Sequence, residues 1–416
     1  MIAVLVLSLL GATLALPPKE GGNHWAVVVA GSNGWGNYRH QADACHAYQI
    51  LHRNGIPDDR IIVMMYDDIA NNEENPTPGI IINRPNGTDM YKGVPKDYNS
   101  EDVTPENFLN VLKGNKEAMA GIGSGKVLQS GPEDNVFVFF TDHGAPNLIA
   151  FPESELHAKD MMDALQYMHD NNMYKNLVFY LEACESGSMF HRHLPDNINI
   201  FATSAANPHE SSYACYFDEK RETYLGDLYS VRWMEDSDTE DLKKETLQRQ
   251  FKIVRRETNT SHVREYGDMS MKNMTLLQFQ GGRVDVPLTP LPPYPQFDAV
   301  PAPEVKLAVL KHRMKVARTD EERSEVTDLI KQEFADRQMI RDTVETIVQK
   351  AVQDQDQADR VLRDRTRDLT AHDCYKRAVS HFRRRCFLFN VVRYEHALRH
   401  LYTLVNLCEE GVSVDR

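Results

Sequence analysis

Residues 136–144 read Val-Phe-Val-Phe-Phe-Thr-Asp-His-Gly, and residues 177–184 read Leu-Val-Phe-Tyr-Leu-Glu-Ala-Cys. Both runs are strongly apolar and too short for helices, so each predicts a buried β-strand. Each also ends on a reactive side chain, His143 before Gly144 and Cys184 after Ala183. In open α/β sheets, chemistry gathers outside the carboxyl ends of parallel strands. A thiol from one strand end and an imidazole from another meet there, which is the layout of a Cys–His nucleophilic pair. Gly144 adds room for a reacting carbonyl to approach the backbone. The competing reading of Cys184 is a buried structural thiol.

The surrounding pattern alternates strand and helix. Trp25–Ala30 reads as a first strand, followed by the glycine-punctuated turn 31–37. A helix from about Tyr38 aligns Ala44, Tyr48 and Leu51 on one face. Residues 61–66 read as a second strand and 69–100 as a long loop rich in Asn, Pro and Gly. Thr104 followed by Pro105 marks a helix start running to about Lys113. Met161, Leu165 and Met168 align on a further helix, and 198–204 reads as another strand. This order predicts a mostly parallel sheet with helices on both faces.

Composition breaks near residue 290. Seven prolines lie between Val286 and Pro303, an extended linker. Beyond it, almost nothing resembles a strand, and Val344, Ile347, Val348, Ala351 and Val352 fall at helical spacing. A further helix is expected from about Tyr394 to Cys408, giving a small helical bundle. Charge divides at the same place: residues 304–416 carry a net +2, whereas residues 1–303 carry −16. The acidic balance argues against nucleic-acid binding and allows electrostatic docking between the two parts.

Residues 2–16 form an unbroken small and apolar run ended by Pro17 and Pro18. Its length fits a signal peptide over 1–16 and falls short of the roughly 20 residues a spanning helix needs. Three sequons, at Asn86, Asn259 and Asn273, fit a glycosylated secretory protein. No later stretch reads as a membrane span. His191 and His193 lack a nearby Cys or carboxylate for a metal site and read as a solvated loop. Asp67 and Asp68 at a strand end read as structural.

The blocks GSNGWGNYRHQADACHAYQILHRNGIP (31–57), FTDHG (140–144), EACESGSM (182–189) and SSYACYFDEKRETYLGD (211–227) closely resemble the legumain family of asparaginyl endopeptidases. The resemblance runs from about His24 to Cys408. It implies a caspase-like α/β fold over 24–285, a linker over 286–303, an activation peptide over 304–319, and a small all-α, death-domain-like prodomain over 320–416. It also implies Cys184 as nucleophile, His143 as general acid/base and Asn37 as an orienting third member. The backbone N–H groups of Gly144 and Cys184 then hold the oxyanion. Asp142 either takes part in succinimide and ligase-like chemistry or only positions its loop.

By the same resemblance Arg39, His40, Glu182, Ser212 and Asp227 form the specificity pocket. The residue chemistry agrees. An asparagine side chain offers a carbonyl acceptor and an amide donor, which a cation and carboxylates recognise. A protonated aspartic acid mimics it, so cleavage after Asp is expected in acid. Without the resemblance, Glu182 and Asp227 read as surface charges.

The resemblance further implies a Cys374–Cys408 disulfide and a second bridge from Cys386. The partner expected for Cys386 has no counterpart before Arg416, so either the C-terminus is shortened or Cys386 is free. The family's activating cut follows an asparagine just beyond the linker, yet no asparagine lies between Ala299 and Asn390. Arg318 and Asp320 are the candidate replacements. An Arg399–Glu185 pairing, with His400 beside the arginine, is the expected latch holding the prodomain down, weakened as carboxylates protonate.

The expectation is therefore a secretory zymogen bound for lysosomes or endosomes, or secreted as the zymogen. Proteins and peptides are its substrates, its own prodomain and cystatin-type inhibitors its partners, and no metal or organic cofactor is needed. Two rivals stand beside it: a peptide ligase or transpeptidase on the same site, and a non-catalytic binding role of the zymogen or its freed prodomain.

Overall fold

The computed structural model describes residues 22–282 and 298–413. The expected signal peptide and most of the proline-rich linker lie outside the described residues. Strand β1 (His24–Ala30) leads through a short 3-10 turn at Trp35–Asn37 into helix α1 (Tyr38–Arg53). Strand β2 (Ile61–Met64) stops two residues short of the expected end, because Met65 onward turns into the long loop, where Asp67 takes a positive φ of 65°. Helix α2 (Pro105–Leu112) starts on Thr104, whose side chain accepts from Asn107 N.

Strand β3 (Asn135–Thr141) carries the first apolar run. Three short strands follow: β4 (Gly144–Ala145), β5 (Leu148–Ala150) and β6 (Glu155–His157). Helix α3 (Ala158–Asp170) then leads to β7 (Asn176–Glu182) and β8 (Ile200–Ser204). A hairpin of β9 (Tyr213–Asp218) and β10 (Thr223–Asp227) precedes helices α4 (Leu228–Thr239) and α5 (Leu247–Glu257). Strand β11 (Arg264–Gly267) and the short helix α6 (Leu277–Gln280) complete this part.

The central sheet has the order β11-β8-β7-β3-β1-β2. Its strands run parallel except β11, which is antiparallel to β8. Alternation along β3 sends Phe137 and Phe139 to one face, packed with Trp233 and α1, and Val138 and Phe140 to the other, packed with Phe108 and Leu165. Both faces are dry, and each such side chain contributes about 1.5–3 kcal/mol by leaving water. The asparagines of all three sequons are exposed.

After the linker, β12 (Val300–Pro301) adds to β9, and α7 (Val305–Val316) packs its Val305 against Ala214 and Tyr224. The chain beyond is helical: α8 (Asp320–Ala351), α9 (Gln355–Arg363), α10 (His372–Arg385) and α11 (Leu401–Glu409), with a 3-10 segment at Glu395–His400. The helix expected from Tyr394 thus begins as a tighter turn. These helices share a core of Ile340, Val344, Tyr375, Phe382, Leu401 and Val405, which reaches Ala145 and Leu148 of the first part. Cys374 is bonded to Cys408, and Cys386 is unbonded. Among the described residues no helix is long and apolar enough to cross a membrane.

Candidate active site

Strands β3 and β7 are parallel neighbours in a register that sets Thr141 opposite Glu182. Asp142 N continues the ladder to Glu182 O at 3.0 Å, so His143 and Cys184 each emerge two residues past the paired ends. Gly144 presses on the nucleophile's backbone: a Cβ there would sit 2.2 Å from Cys184 O, so no larger residue fits without moving the chain. After Cys184 the chain turns sharply through Glu185, whose φ of +50° is uncommon for a non-glycine residue.

Cys184 is 3% exposed, and its Sγ lies 3.8 Å from Ser212 Oγ. Burial, then the neighbouring Glu185, pushes the thiol up to about 12. The cysteine is therefore held as a neutral thiol in this state. His143 Nε2 lies 3.0 Å from Asn37 Oδ1. Burial works against its charge, yet Glu395 and Asp142 hold the imidazole above its ordinary value. Asn37 fixes one ring nitrogen and leaves the other for proton transfer.

Asp142 is buried, and neither carboxylate oxygen makes a hydrogen bond. Burial raises it to about 7, with Glu395 adding to the shift and His143 opposing it. His40 Nδ1 stands 3.4 Å from Asp142 Oδ1, but its close contact is Ser32 Oγ at 2.6 Å. Burial, then Arg39 and His143, keeps His40 well below its ordinary value and so neutral. The His40–Asp142 contact is accordingly not an ion pair. His40, Asp142 and His143 bring ligand atoms within 4.8 Å of one another. Both histidines are engaged elsewhere, and the Arg39 charge opposes a cation there.

Arg39, Glu182 and Asp227 gather beside this pair, each about 1% exposed. Arg39 Nε donates to Asp227 Oδ1 at 3.0 Å, and Nη1 to Gly36 O at 3.1 Å. Glu182 Oε2 accepts from Ser230 N and Oγ. One atom on each is left over: Arg39 Nη2, Asp227 Oδ2 and Glu182 Oε1 make no hydrogen bond among the described residues. Orphaned buried groups cost about 1–3 kcal/mol each, which a ligand recovers by satisfying them. One donor and two acceptors are complementary to a carboxamide.

Sequence reasoning missed two supports of this pocket. Asp43 receives Asp227 N at 3.2 Å and Asn83 Nδ2 at 2.7 Å. It lies four residues after Arg39 on α1, a same-face spacing that was a usable signal. Ser230, on the first turn of α4, had no such signal. Burial, then Asp227, raises Asp43 and Glu182 well above the carboxylate range, and burial raises Asp227.

The helical bundle closes the site, and the group it inserts was also missed. Glu395 Oε1 accepts from Asn37 Nδ2 at 2.6 Å and lies 3.5 Å from His143 Nε2. Asn390 Nδ2 donates to Phe151 O and Ser154 O at 2.8 Å each. Lys376 and Arg383 pair with Asp160 and Glu155. His193 is no solvated loop residue: it contacts Asn147 at 2.7 Å and meets the His372 ring of the bundle edge-on.

The expected Arg399–Glu185 latch requires correction. Arg399 makes its ion pair with Glu304, at 3.3 Å. Among the described residues Glu185 is buried with no ion pair; Arg365 and then Arg399 act on it at longer range. Burial outweighs both arginines and raises Glu185 to about 8. A carboxyl raised this far is protonated more readily when docked than when free, so acidification favours its docked state.

A mostly parallel sheet delivering a Cys–His pair at adjacent strand ends, capped by its own helical bundle, defines a cysteine endopeptidase in zymogen form. The chain belongs to the peptidase C13 family, whose pattern matches residues 24–282, and residues 328–416 match the legumain prodomain. It is 58% identical to Legumain of Mus musculus, an alignment covering 100% of this chain and 96% of that protein. It is 56% identical to Legumain of Homo sapiens over 98% of this chain and 94% of that protein. Among solved structures, caspase-1 from Spodoptera frugiperda aligns with a TM-score of 0.36 and 9% identity, covering 60% of this chain and 88% of that one.

Proposed function

We propose that this zymogen, once open, cleaves peptide bonds after asparagine, and after aspartic acid at low pH, through an acyl-enzyme on Cys184. The observation that carries the reading is the trio of unsatisfied buried atoms, Arg39 Nη2, Glu182 Oε1 and Asp227 Oδ2. The guanidinium donates to the side-chain carbonyl of the substrate and the carboxylates accept from its amide. An apolar side chain leaves all three orphaned and is rejected. An ionised aspartate offers the acceptors Glu182 Oε1 and Asp227 Oδ2 no donor, so only its protonated form fits.

His143 takes the Cys184 proton as sulfur attacks the carbonyl carbon, then gives it to the leaving amine. Water hydrolyses the thioester. The N–H groups of Gly144 and Cys184 receive the oxyanion, and Ser212 lines the pocket beside the sulfur. Peptidase 24–285, linker 286–303, activation peptide 304–319 and inhibitory domain 320–416 are the proposed divisions, with the bundle as the intramolecular partner. A secretory route to an acidic compartment is supported by the apolar leader and the three exposed sequons.

One observation favours a second reading, peptide ligation. Asp142 stands beside His143 with both oxygens unbonded, a carboxyl available to act on the acyl-enzyme when an amine replaces water. Incubation at about pH 4.5 and near neutrality with Ala-Ala-Asn and Ala-Ala-Asp reporter peptides and an added amine tests both. Release of the Asn reporter, dependent on Cys184, is the expected result. Equal cleavage after leucine rejects the pocket assignment, and amide product exceeding acid near neutrality favours ligation.

A further inference from the structure

Helix α1 carries Arg39, Asp43, His46 and Arg53 at successive spacings of four, three and seven residues, which places them on one face. Arg39 stands in the candidate pocket. The other three lead away from it along a continuous chain of hydrogen bonds. Asp43 Oδ2 accepts from Asp227 N at 3.2 Å, and its Oδ1 from Asn83 Nδ2 at 2.7 Å. Asn83 Oδ1 meets His46 Nδ1 at 2.8 Å, and His46 Nε2 meets Asp238 Oδ2 at 2.9 Å. Arg53 Nη2 donates to Asp238 Oδ1 at 2.6 Å, where the chain reaches the surface. Asp43, Asn83, His46 and Asp238 are each no more than 6% exposed.

Neighbouring groups fix the polarity of each link. Asn83 Nδ2 also donates to Leu225 O at 2.8 Å, so the amide nitrogen is committed to two acceptors and its oxygen must face His46. Asp238, paired with Arg53, is a carboxylate that only accepts. Both ring nitrogens of His46 therefore face acceptors, and only the imidazolium, a donor at both, satisfies them. Burial opposes this charge, but Asp238 holds the imidazole above its ordinary value, with Glu235 of α4 adding to it. Burial likewise opposes charge on Asp238, which His46 and then Arg53 hold below its ordinary value.

We propose that His46 is a positioning residue for the candidate asparagine pocket: through Asn83 and Asp43 it fixes the backbone of Asp227 and so aims the second oxygen, Oδ2. This rests on the reading of Arg39, Glu182 and Asp227 as that pocket. Asp227 ends β10 and is the N-cap of α4, where no intrahelical bond holds its N–H. Asp43 supplies the missing acceptor. Loss of the His46 Nδ1–H frees the Asn83 amide to flip, which sets its oxygen against Asp43 and loosens Asp227 N. The hairpin leaves this chain its room: a Cβ on Gly226 would stand 2.5 Å from Val231, 3.0 Å from Asn83 Nδ2 and 3.1 Å from Asp43 Oδ1.

The competing role is a pin, in which Arg53, His46 and Asp238 only fasten α1 to α4. Two substitutions of His46 separate the roles. Asparagine places its amide near the Nδ1 position, so it still donates to Asn83 and gives up Asp238. Glutamine places its amide near the Nε2 position, so it still donates to Asp238 and gives up Asn83.

The first measurement is amide hydrogen exchange at Asp227 in the full-length, unopened chain, read by mass spectrometry of peptides that span it. Exchange is expected to quicken about tenfold in His46→Gln and to return near the wild-type rate in His46→Asn. Asn83→Ala removes the link but leaves Arg53, His46 and Asp238 in place, and is expected to quicken exchange as His46→Gln does. The second measurement follows opening at about pH 4.5: His46→Gln is expected to raise KM for Ala-Ala-Asn about tenfold with kcat little changed, and His46→Asn to restore KM. A pin instead lowers the thermal midpoint of both His46 variants and leaves Asp227 exchange and KM alike in the two, and that result overturns the proposal. Unchanged exchange in Asn83→Ala overturns it as well. A wild-type chain that cleaves equally after leucine, while Asp227 exchange still separates His46→Gln from His46→Asn, keeps His46 as the brace of Asp227 and rejects the asparagine reading instead.

Discussion

Glu395 of the helical bundle accepts a 2.6 Å hydrogen bond from the Asn37 side-chain amide. Asn37 also orients His143, so one carboxylate holds two members of the site and bars a substrate from both. Burial opposes its charge, but His143 and Asn37 keep it below the carboxylate range.

The pH dependence of this bolt follows from the two directions of shift. The depressed Glu395 contributes docking strength above its ordinary 4.5 and loses it as pH falls through its lowered value. The raised His143 contributes below 6.5 and loses strength as pH climbs through its raised value. The pair is strongest between these limits. Glu395→Gln keeps the hydrogen bond and removes the charge. Alkylation of Cys184 by iodoacetamide, located by mass, is expected to be about tenfold faster at pH 6, a factor worth ~1.4 kcal/mol, and little changed near pH 3. An unchanged rate at pH 6 rules out the bolt.

Histidines at the docking surface supply an acid trigger. His157 meets Tyr375 edge-on, His193 meets His372 edge-on, and His396 and His400 lie beside Arg337, Arg365 and Arg399. Burial comes first, followed by Lys376 at His157, His372 at His193, Arg337 at His396, and His396 with Arg365 at His400, and together they lower all four to about 4. Their docked, neutral forms contribute above about pH 6.5, and that contribution is lost as pH falls from there through about 4. Replacing His157 and His193 with Gln is expected to move the pH midpoint of Cys184 exposure down by about half a unit. Glu185 has the opposite sign, so Glu185→Gln is expected to strengthen docking at neutral pH. A Glu185→Gln chain that opens more readily restores the carboxylate latch.

The legible parts of this molecule were those where burial and chemistry coincide in one short segment. The runs ending at His143 and Cys184 are apolar on both faces, and that sufficed to place both residues at neighbouring strand ends. Glu182 and Asp227 were legible only through resemblance, since a carboxylate closing a strand looks like a surface charge until a distant Arg39 is folded beside it. Glu395 was not legible at all: its contact with Asn37 spans 358 positions, and nothing local marks a glutamate in a helical turn as a plug. Arg399 misled for the same reason. Its choice between Glu185 and Glu304 is made by packing of the 3-10 segment against the turn at Ala302–Glu304, which no spacing encodes.

Gly144 offers a test of the strand-end geometry alone. Its missing Cβ leaves room for Cys184 O and the Ala183 methyl, at 2.2 and 2.9 Å from where a Cβ would stand. Backbone must move to admit it. Gly144→Ala is expected to lower kcat on the Asn reporter by about 100-fold, the scale of a disturbed oxyanion donor. Wild-type activity in Gly144→Ala excludes this strand end from the reacting centre.

Glu182→Gln separates recognition from reactivity. The substitution keeps the size of the side chain and replaces one carboxylate oxygen by an amide, so that Oε1, now an unpaired acceptor, either faces the substrate as a donor or gives up Ser230. Leaving a buried group mismatched costs about 1–3 kcal/mol, so kcat/KM for Ala-Ala-Asn is expected to fall about 10- to 100-fold. Burial and then Asp227 raise Glu182 well above the carboxylate range, so the substitution leaves the charge near pH 5.5 unchanged. A protonated aspartyl side chain, with one donor where asparagine has two, loses less, and its disadvantage relative to asparagine shrinks. The Asn-to-Asp ratio at pH 5.5 is therefore the measurement that decides. If both substrates lose activity in equal proportion at every pH, Glu182 braces the strand end through Ser230 and does not read the side chain.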